Sequence, residues 1–167
     1  PRGSGRSRQV RTASSSRALY SYGVNESDLL QHVYATAGEA RGDVIIAPGD
    51  DMAMIAFAGD RLLAAVDQIV DGRHVRLENT PPELVGRKAI TRCLSDVAAM
   101  AARPVASLAA ATLPHDLETS YVNSMFDAMH ATAKAYACPL IGGDIAIHRV
   151  DAPLTCSVTV MARPGPS

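Results

Sequence analysis

Acidic side chains lie where strands or helices are expected to end, rather than on the solvated faces of those elements. They are Asp50 and Asp51 after a Pro-Gly pair, Asp67 and Asp71 around one short apolar run, Asp96 in an alanine-rich segment, and Asp144 after two glycines. Mg²⁺ takes oxygen ligands in an octahedron and keeps waters and phosphate oxygens as its remaining ligands. Carboxylates in such places are therefore candidate ligands for a hard cation.

Each of these carboxylates also has a simpler interpretation. A single Asp in a turn usually caps a helix or bonds its own backbone. Asp96 is the most informative, because Asp is a poor helix former and its neighbours are Leu94, Val97 and Ala98. It is either part of a solvated polar face or a buried anion that needs a cation, and composition leaves both open.

Other residues have the chemistry to contact a phosphate or a substrate. Gly142 and Gly143 would let backbone amides approach a phosphate, although a plain turn is the simpler interpretation. Lys88 beside Arg87 could steady phosphate charge or simply be solvated, and His74 is either a loop side chain facing substrate or a surface histidine. The chain has neither a P-loop nor a Rossmann fingerprint, and no Ser/His/Asp or Cys/His arrangement.

The elements that must position these residues are read from periodicity and turn chemistry. Helices are expected from Asn25, from a capping box at Thr80 with a possible break near Gly86, and from Asp116 as a cap. Strand-like runs cover residues 43–48, 52–57, 61–70, 105–113 and 155–161, and Gly59-Asp60 predicts a hairpin turn between the second and third. Without strict βα alternation, the pattern predicts an α+β fold, a mainly antiparallel four-stranded sheet with helices on one face.

Composition restricts the class of protein. The 167 residues are 47% apolar and 20% charged, as in a soluble domain, and no apolar run is long enough for a membrane span. The composition of residues 1–24 predicts a disordered basic leader, and its first four residues resemble the remnant of an engineered protease site. Residues 25–167 are predicted to form the folded domain. The leader lacks interleaved aromatic residues, so we expect no nucleic-acid partner. Three separated cysteines predict reduced thiols in a cytoplasmic protein.

Several of these segments, in this order, resemble thiamine-monophosphate kinases. Gly49-Asp50-Asp51 is similar to the GDD turn of that family, and residues 66–74 to its TDxLVEGVHF segment. Residues 86–104 resemble GxKAxxxNLSDxAAMGAxP, and Gly142-Gly143-Asp144 matches the GGD loop. The resemblance covers about residues 43–162. The wider superfamily includes aminoimidazole ribonucleotide synthetase, selenophosphate synthetase and a hydrogenase maturation factor.

The resemblance implies an N-terminal domain that binds ATP and Mg²⁺ and a homodimer in which two sheets form a barrel. It implies metal ligands at Asp50, Asp51, Asp67, Asp96 and Asp144, ATP contacts at Gly142, Gly143, Asp144 and Lys88, and substrate contacts at His74 and Asp71. The implied reaction makes thiamine diphosphate from thiamine monophosphate and ATP, and no residue is assigned as a general base. The family's C-terminal domain is expected to be missing here, unless a separate chain supplies it.

The chain departs from the family pattern at four positions. Val66 replaces Thr, Cys93 replaces Asn, Asp71 replaces Glu, and Ile145 replaces Thr. These departures leave two other hypotheses open. The first is another ATP-dependent synthetase of the superfamily, similar to selenophosphate synthetase or the hydrogenase maturation factor. The second is a dimeric domain whose site is degraded.

Overall fold

The structure, a computed structural model, describes residues 26–37, 43–46, 54–57, 61–149 and 151–165. The elements in chain order are α1 (Glu26–Ala37), β1 (Val44–Ile46), β2 (Met54–Ile55), β3 (Leu63–Val70), α2 (Pro82–Ala99), β4 (Arg103–Leu113), α3 (Thr119–Ala135), β5 (Leu140–Ile147) and β6 (Thr155–Arg163). Asn25, Gly49, Asp50, Asp51 and the Gly59-Asp60 turn lie outside the described residues. The predicted α+β class is confirmed.

The main sheet has four strands in the order β3-β6-β4-β5. β6 is antiparallel to both β3 and β4, whereas β4 and β5 are parallel. The sheet is therefore mixed, and the expectation of a mainly antiparallel sheet was wrong. The reason is the connection: parallel neighbours need a long crossover, and α3 is the element between β4 and β5.

One face of the sheet is covered by helices. Along β6, Cys156, Val158 and Val160 are buried, while the residues between them are only half-buried. This alternation follows from the period of two along a strand. α2 packs against β3 and β6, and α3 packs against β5 and α2. The uncovered side, here named the open face, carries Val66, Gln68, Leu108, Ala110, Asp144, Ser157 and Thr159.

α2 and α3 approach each other closely at Gly86. A β-carbon built on Gly86 would lie 2.1 Å from the carbonyl oxygen of Met125 and 3.1 Å from the β-carbon of Ala128. Only glycine therefore allows this helix contact. The break considered near Gly86 is absent, since α2 continues through it to Ala99.

Neither predicted helix cap is used. The N-cap of α2 is Pro81, with no side-chain cap hydrogen bond, and the carbonyl of Thr80 instead accepts a hydrogen bond from the Tyr121 hydroxyl at 2.7 Å. α3 begins three residues after Asp116, with Glu118 as its N-cap. In both helices the observed N-cap residue makes no side-chain cap hydrogen bond, so side-chain capping does not decide where the helix begins.

β1 and β2 form a separate two-stranded antiparallel sheet. Within the described residues β2 pairs with β1, and the turn predicted at Gly59-Asp60 between the second and third strands lies outside those residues. Arg163 at the end of β6 donates to the Asp43 carboxylate at 2.8 Å and to the Ala56 carbonyl at 3.3 Å, and lies 5.7 Å from the Phe57 ring centre. These contacts attach the small sheet to the main one.

Candidate functional site

Asp67 lies on the helix-covered side of the edge strand β3. Its Oδ1 accepts a hydrogen bond from the Arg92 guanidinium at 2.6 Å and another from the Gln68 backbone N–H at 2.9 Å. The Arg92 hydrogen bond is the main reason why the pKa of this carboxyl lies below its usual value, and desolvation opposes the shift. Asp67 is therefore ionised at neutral pH, and both of these bonds fall on one of its two oxygens.

Arg92 is the residue that motif reasoning missed. It lies four residues after Lys88 and four before Asp96 on α2. Residues at this spacing share one face of a helix, so the three form a polar stripe beside β3. The sequence contained a signal for Arg92, because this basic residue lies midway between Lys88 and Asp96, two residues that were already candidates.

Asp96 is exposed near the C-terminal end of α2. Of the two interpretations that composition left open, the structure supports the solvent-accessible one. Desolvation raises the pKa of the buried Cys93 thiol, and the negative charges of Asp96 and Asp67 raise it further. Cys93 Sγ donates to the carbonyls of Val158 and Ala65. Asp67 and Asp96 therefore both lie near one buried side chain, on the same side of the sheet.

The loop after β3 connects to α2 through His74. The Nδ1 of His74 accepts a hydrogen bond from the Val70 N–H at 3.0 Å, so the neutral ring carries its proton on Nε2. The Lys88 ammonium donates to the His74 carbonyl. The His74 ring also lies close enough to Asp67 that its protonated form would lower the pKa of that carboxyl. Lys88, His74 and Asp67 thus belong to one neighbourhood.

Asp71 organises this loop from inside. Its Oδ1 accepts backbone N–H groups of Gly72 at 2.8 Å and Leu77 at 3.0 Å. Asp71 also contributes to a cleft of about 410 Å³ between the loop and the start of α3. The cleft is lined by Asp71, Leu77, Pro114, Asp116, Leu117, Glu118, Tyr121, Asp151 and Ala152. Four carboxylates in one wall make it favourable to a positively charged ligand.

Gly142, Gly143 and Asp144 lie within β5 and not in a turn. A β-carbon on Gly143 would lie 1.7 Å from the Ala109 carbonyl oxygen, so this glycine is required by the packing of β5 on β4. A β-carbon on Gly142 would meet only the Leu108 side chain, at 3.4 Å. Asp144 is exposed on the open face, opposite Ala110 of β4.

The sheet order separates Asp144 from Asp67. β3 and β5 are the two edge strands, which places them about 14 Å apart at the usual strand spacing. The two carboxylates also lie on opposite faces. Across the described ranges, no three His, Cys, Asp or Glu side chains converge on a point where they could hold a metal ion.

A divalent cation still fits the chemistry of Asp67 and Asp96. Mg²⁺ is usually bound through one or two carboxylates together with waters and phosphate oxygens, and not by a cage made only of protein. Asp67 is an ionised carboxylate with one oxygen unused by these hydrogen bonds, and Asp96 is an exposed carboxylate on the helix that packs against β3. Both features match that pattern. Asp50 and Asp51 remain predicted ligands, because they lie outside the described residues.

The comparisons with known proteins agree with this architecture. The family of AIR synthase related proteins, N-terminal domain, matches residues 49–163. This match covers most of the chain, and the chain belongs to that family. In the part of the chain that the structure describes, no helix is long and apolar enough to cross a membrane.

Curated relatives of this chain include thiamine-monophosphate kinases. The chain is 39% identical to that of Synechococcus elongatus over 98 residues, 58% of this chain and 30% of the relative. It is 33% identical to that of Bacillus subtilis over 122 residues, 72% of this chain and 37% of the relative. The chain therefore spans about a third of the length of these relatives, and the resemblance to their family is confirmed.

Solved structures extend the comparison. The thiamine-monophosphate kinase of Stenotrophomonas maltophilia is 32% identical with a TM-score of 0.69, over 82% of this chain and 42% of that one. AaThiL complexed with AMPPCP and TMP is 28% identical with a TM-score of 0.58, over 85% and 44%. The Escherichia coli hydrogenase maturation protein HypE shares the fold at 20% identity, with a TM-score of 0.65 over 84% and 44%.

Proposed function

We propose that this chain is the N-terminal ATP- and Mg²⁺-binding domain of a thiamine-monophosphate kinase-like phosphotransferase. The reaction transfers the γ-phosphoryl group of ATP to the phosphate of thiamine monophosphate, giving ADP and thiamine diphosphate. One observation carries the proposal: in the segment that matches the kinases, Arg92 on α2 bonds Asp67 on β3, and Lys88 and Asp96 lie one turn to either side of Arg92. The complex of AaThiL with AMPPCP and TMP supports both ligands.

These residues suit a reaction that depends on positioning and charge. Phosphoryl transfer has little covalent work for the protein, and its catalysis is mainly alignment and electrostatic stabilisation. Lys88 and Arg92 supply positive charge toward phosphate oxygens, while Asp67 and Asp96 are the carboxylates that would hold Mg²⁺. When bound, the metal neutralises charge between the β- and γ-phosphates. We assign no general base.

The acceptor is proposed to occupy the cleft beside Asp71. The thiazolium ring of thiamine monophosphate carries a positive charge, and the cleft wall contains Asp71, Asp116, Glu118 and Asp151. His74, held in the adjoining loop, would direct its Nε2–H toward the phosphate of this substrate. Asp71 would act indirectly, because its Oδ1 already fixes the loop backbone.

A homodimer is part of the proposal. Asp144 is on the open face of one edge strand, and Asp67 is on the covered face of the other edge strand. One chain cannot direct both at one cation, and Asp144 lies on the face that a second copy would cover. The exposed Val66 and Leu108 on this face also favour burial against another sheet. A separate C-terminal domain chain and a cytoplasmic location complete the proposal.

Calorimetric titration with AMPPCP tests the nucleotide site. The purified chain is titrated with Mg²⁺ present and then with EDTA, alongside Asp96→Asn and the matched control Asp28→Asn on α1. We expect binding that needs Mg²⁺. Asp96→Asn should weaken this binding at least about tenfold, and Asp28→Asn should leave it unchanged. If folded wild-type protein gives no heat both with Mg²⁺ and with EDTA, the proposal is contradicted.

A second candidate is a dimeric domain with a degraded site. Two observations favour it: the Asp67 carboxylate is occupied by Arg92, and Cys93, in place of the family's Asn, directs its thiol to backbone carbonyls. This candidate predicts a dimer that binds no nucleotide in the same titration. A synthetase acting on another acceptor remains the further alternative, and competition by thiamine monophosphate would separate it from the kinase.

A further inference from the structure

We propose that Arg92 is an internal counter-ion for Asp67, which a divalent cation must displace in order to bind that carboxylate. The inference rests on the proposed function in one respect, the assignment of Asp67 as a metal ligand. It adds a residue that belongs to none of the motif positions, since Arg92 falls on a variable position between the Lys88-Ala89 and Leu94-Ser95-Asp96 matches.

The geometry makes the guanidinium a stand-in for a bound cation. Arg92 Nη2 lies 2.6 Å from Asp67 Oδ1, and the two side chains are 34% and 26% exposed. A charge-assisted bond of this length neutralises the carboxylate as a metal would. The ion pair and a divalent cation therefore compete for the same negative charge, and the cation also meets the repulsion of the guanidinium beside it.

The pair is also built so that it can open. Arg92 Nε is buried and has no hydrogen-bond partner within the described residues. The observed position of Arg92 therefore leaves one of its donors unsatisfied, which a displaced side chain would correct with water or a phosphate oxygen.

Two other basic side chains near Asp67 also oppose the approach of a cation to its carboxylate. Lys88 lies one turn before Arg92, and His74 is close enough to influence Asp67. Among these groups, only Arg92 bonds directly to the carboxylate. Its removal should therefore change cation affinity at Asp67, whereas loss of an exposed arginine elsewhere on α2 should not.

The test is titration of Mn²⁺ into the nucleotide-free chain, with free Mn²⁺ measured by electron paramagnetic resonance. Arg92→Met removes the charge and keeps the length, Arg92→Lys keeps the charge, and Arg87→Met is the matched control from the same helix. An ion pair of this exposure contributes about 1 kcal/mol, so Arg92→Met should bind Mn²⁺ roughly fivefold more tightly. Arg92→Lys should stay near wild type, and Arg87→Met should equal it.

Thermal unfolding without metal separates this role from a structural one. Arg92→Met should lower the unfolding temperature slightly while it raises cation affinity, and a merely structural arginine would change only the former. If Arg92→Met binds Mn²⁺ no more tightly than wild type while Asp67→Asn loses the site, the counter-ion role is wrong and the metal site stands. If Asp67→Asn binds as wild type does, or no variant binds Mn²⁺, the assignment of Asp67 is also wrong.

Discussion

Replacing Gly143 by alanine should destabilise the fold whether or not a nucleotide binds. The new β-carbon would lie 1.7 Å from the Ala109 carbonyl oxygen and 2.7 Å from its carbon. Both contacts are with backbone, so β4 and β5 would have to separate by about 1.5 Å to reach ordinary contact distance. Overpacking of this kind costs about 1–3 kcal/mol, and one lost ladder hydrogen bond adds about 1 kcal/mol.

A smaller effect opposes the loss. Alanine restricts the unfolded chain more than glycine does, which returns about 0.4–1 kcal/mol. The net expectation for Gly143→Ala is a loss of about 1–3.5 kcal/mol in the free energy of unfolding, or a decrease of roughly 2–14 °C in the melting temperature for a chain of this size. Gly142→Ala is the control, because its β-carbon would meet only a leucine side chain.

Differential scanning calorimetry of both variants without ligand measures the effect. Gly142→Ala should melt within a few tenths of a kcal/mol of wild type, so any loss of nucleotide binding in that variant reports on the ligand. A Gly143→Ala protein that melts as wild type does would refute the packing argument and return this glycine to a purely ligand-binding role.

Three further predictions concern the helices and the buried titratable groups. Ala137 has φ 52, so Ala137→Gly should stabilise the chain by about 0.5–1 kcal/mol in urea unfolding, whereas Ala135→Gly inside α3 should destabilise it. Burial lowers the pKa of His130 from 6.5, while Asp127 opposes this shift and His32 adds to it. The folded state therefore favours the neutral ring, so the free energy of unfolding should be highest above pH 6.5 and should fall as the pH drops below that value. His130→Leu should flatten this pH dependence. Desolvation raises the thiol pKa of Cys138 to about 11 and that of Cys156 to about 12. A thiol-reactive probe at pH 8 should therefore label both cysteines only after unfolding. Rapid labelling of the native chain would contradict their burial.

Most of the elements were predictable from local patterns, and their pairing was not. The apolar spacing of α1 and α3 and the alternation in β6 led to elements within a few residues of those observed. The parallel pairing of β4 with β5 depends on where α3 returns the chain, which is a tertiary property. The strand-helix-strand order over residues 103–147 was a signal for parallel pairing. The strands before residue 103 do not alternate regularly with helices, and for that reason an antiparallel sheet was predicted.

The site was predictable as a set of residue types and not as a set of contacts. Asp67 and Asp96 were found because their types and positions match a family motif, and the structure brings both beside Cys93. Arg92 was missed because it matches no motif, although it makes the shortest ion pair described here. The glycine pair was interpreted as a turn, with ATP contacts implied by the resemblance, because sequence reasoning cannot detect the close approach of β4.

The contact between α2 and α3 at Gly86 has a consequence for inheritance. Gly86 belongs to the segment that resembles the kinases, yet it is required by the Met125 carbonyl 2.1 Å from the position of its absent β-carbon. A descendant of this protein that had lost every metal-binding carboxylate would still be selected for glycine at this position, because α2 and α3 cannot pack at this distance with any other residue. A match at Gly86 therefore records shared ancestry of the fold, and only a match at the carboxylates records retained chemistry.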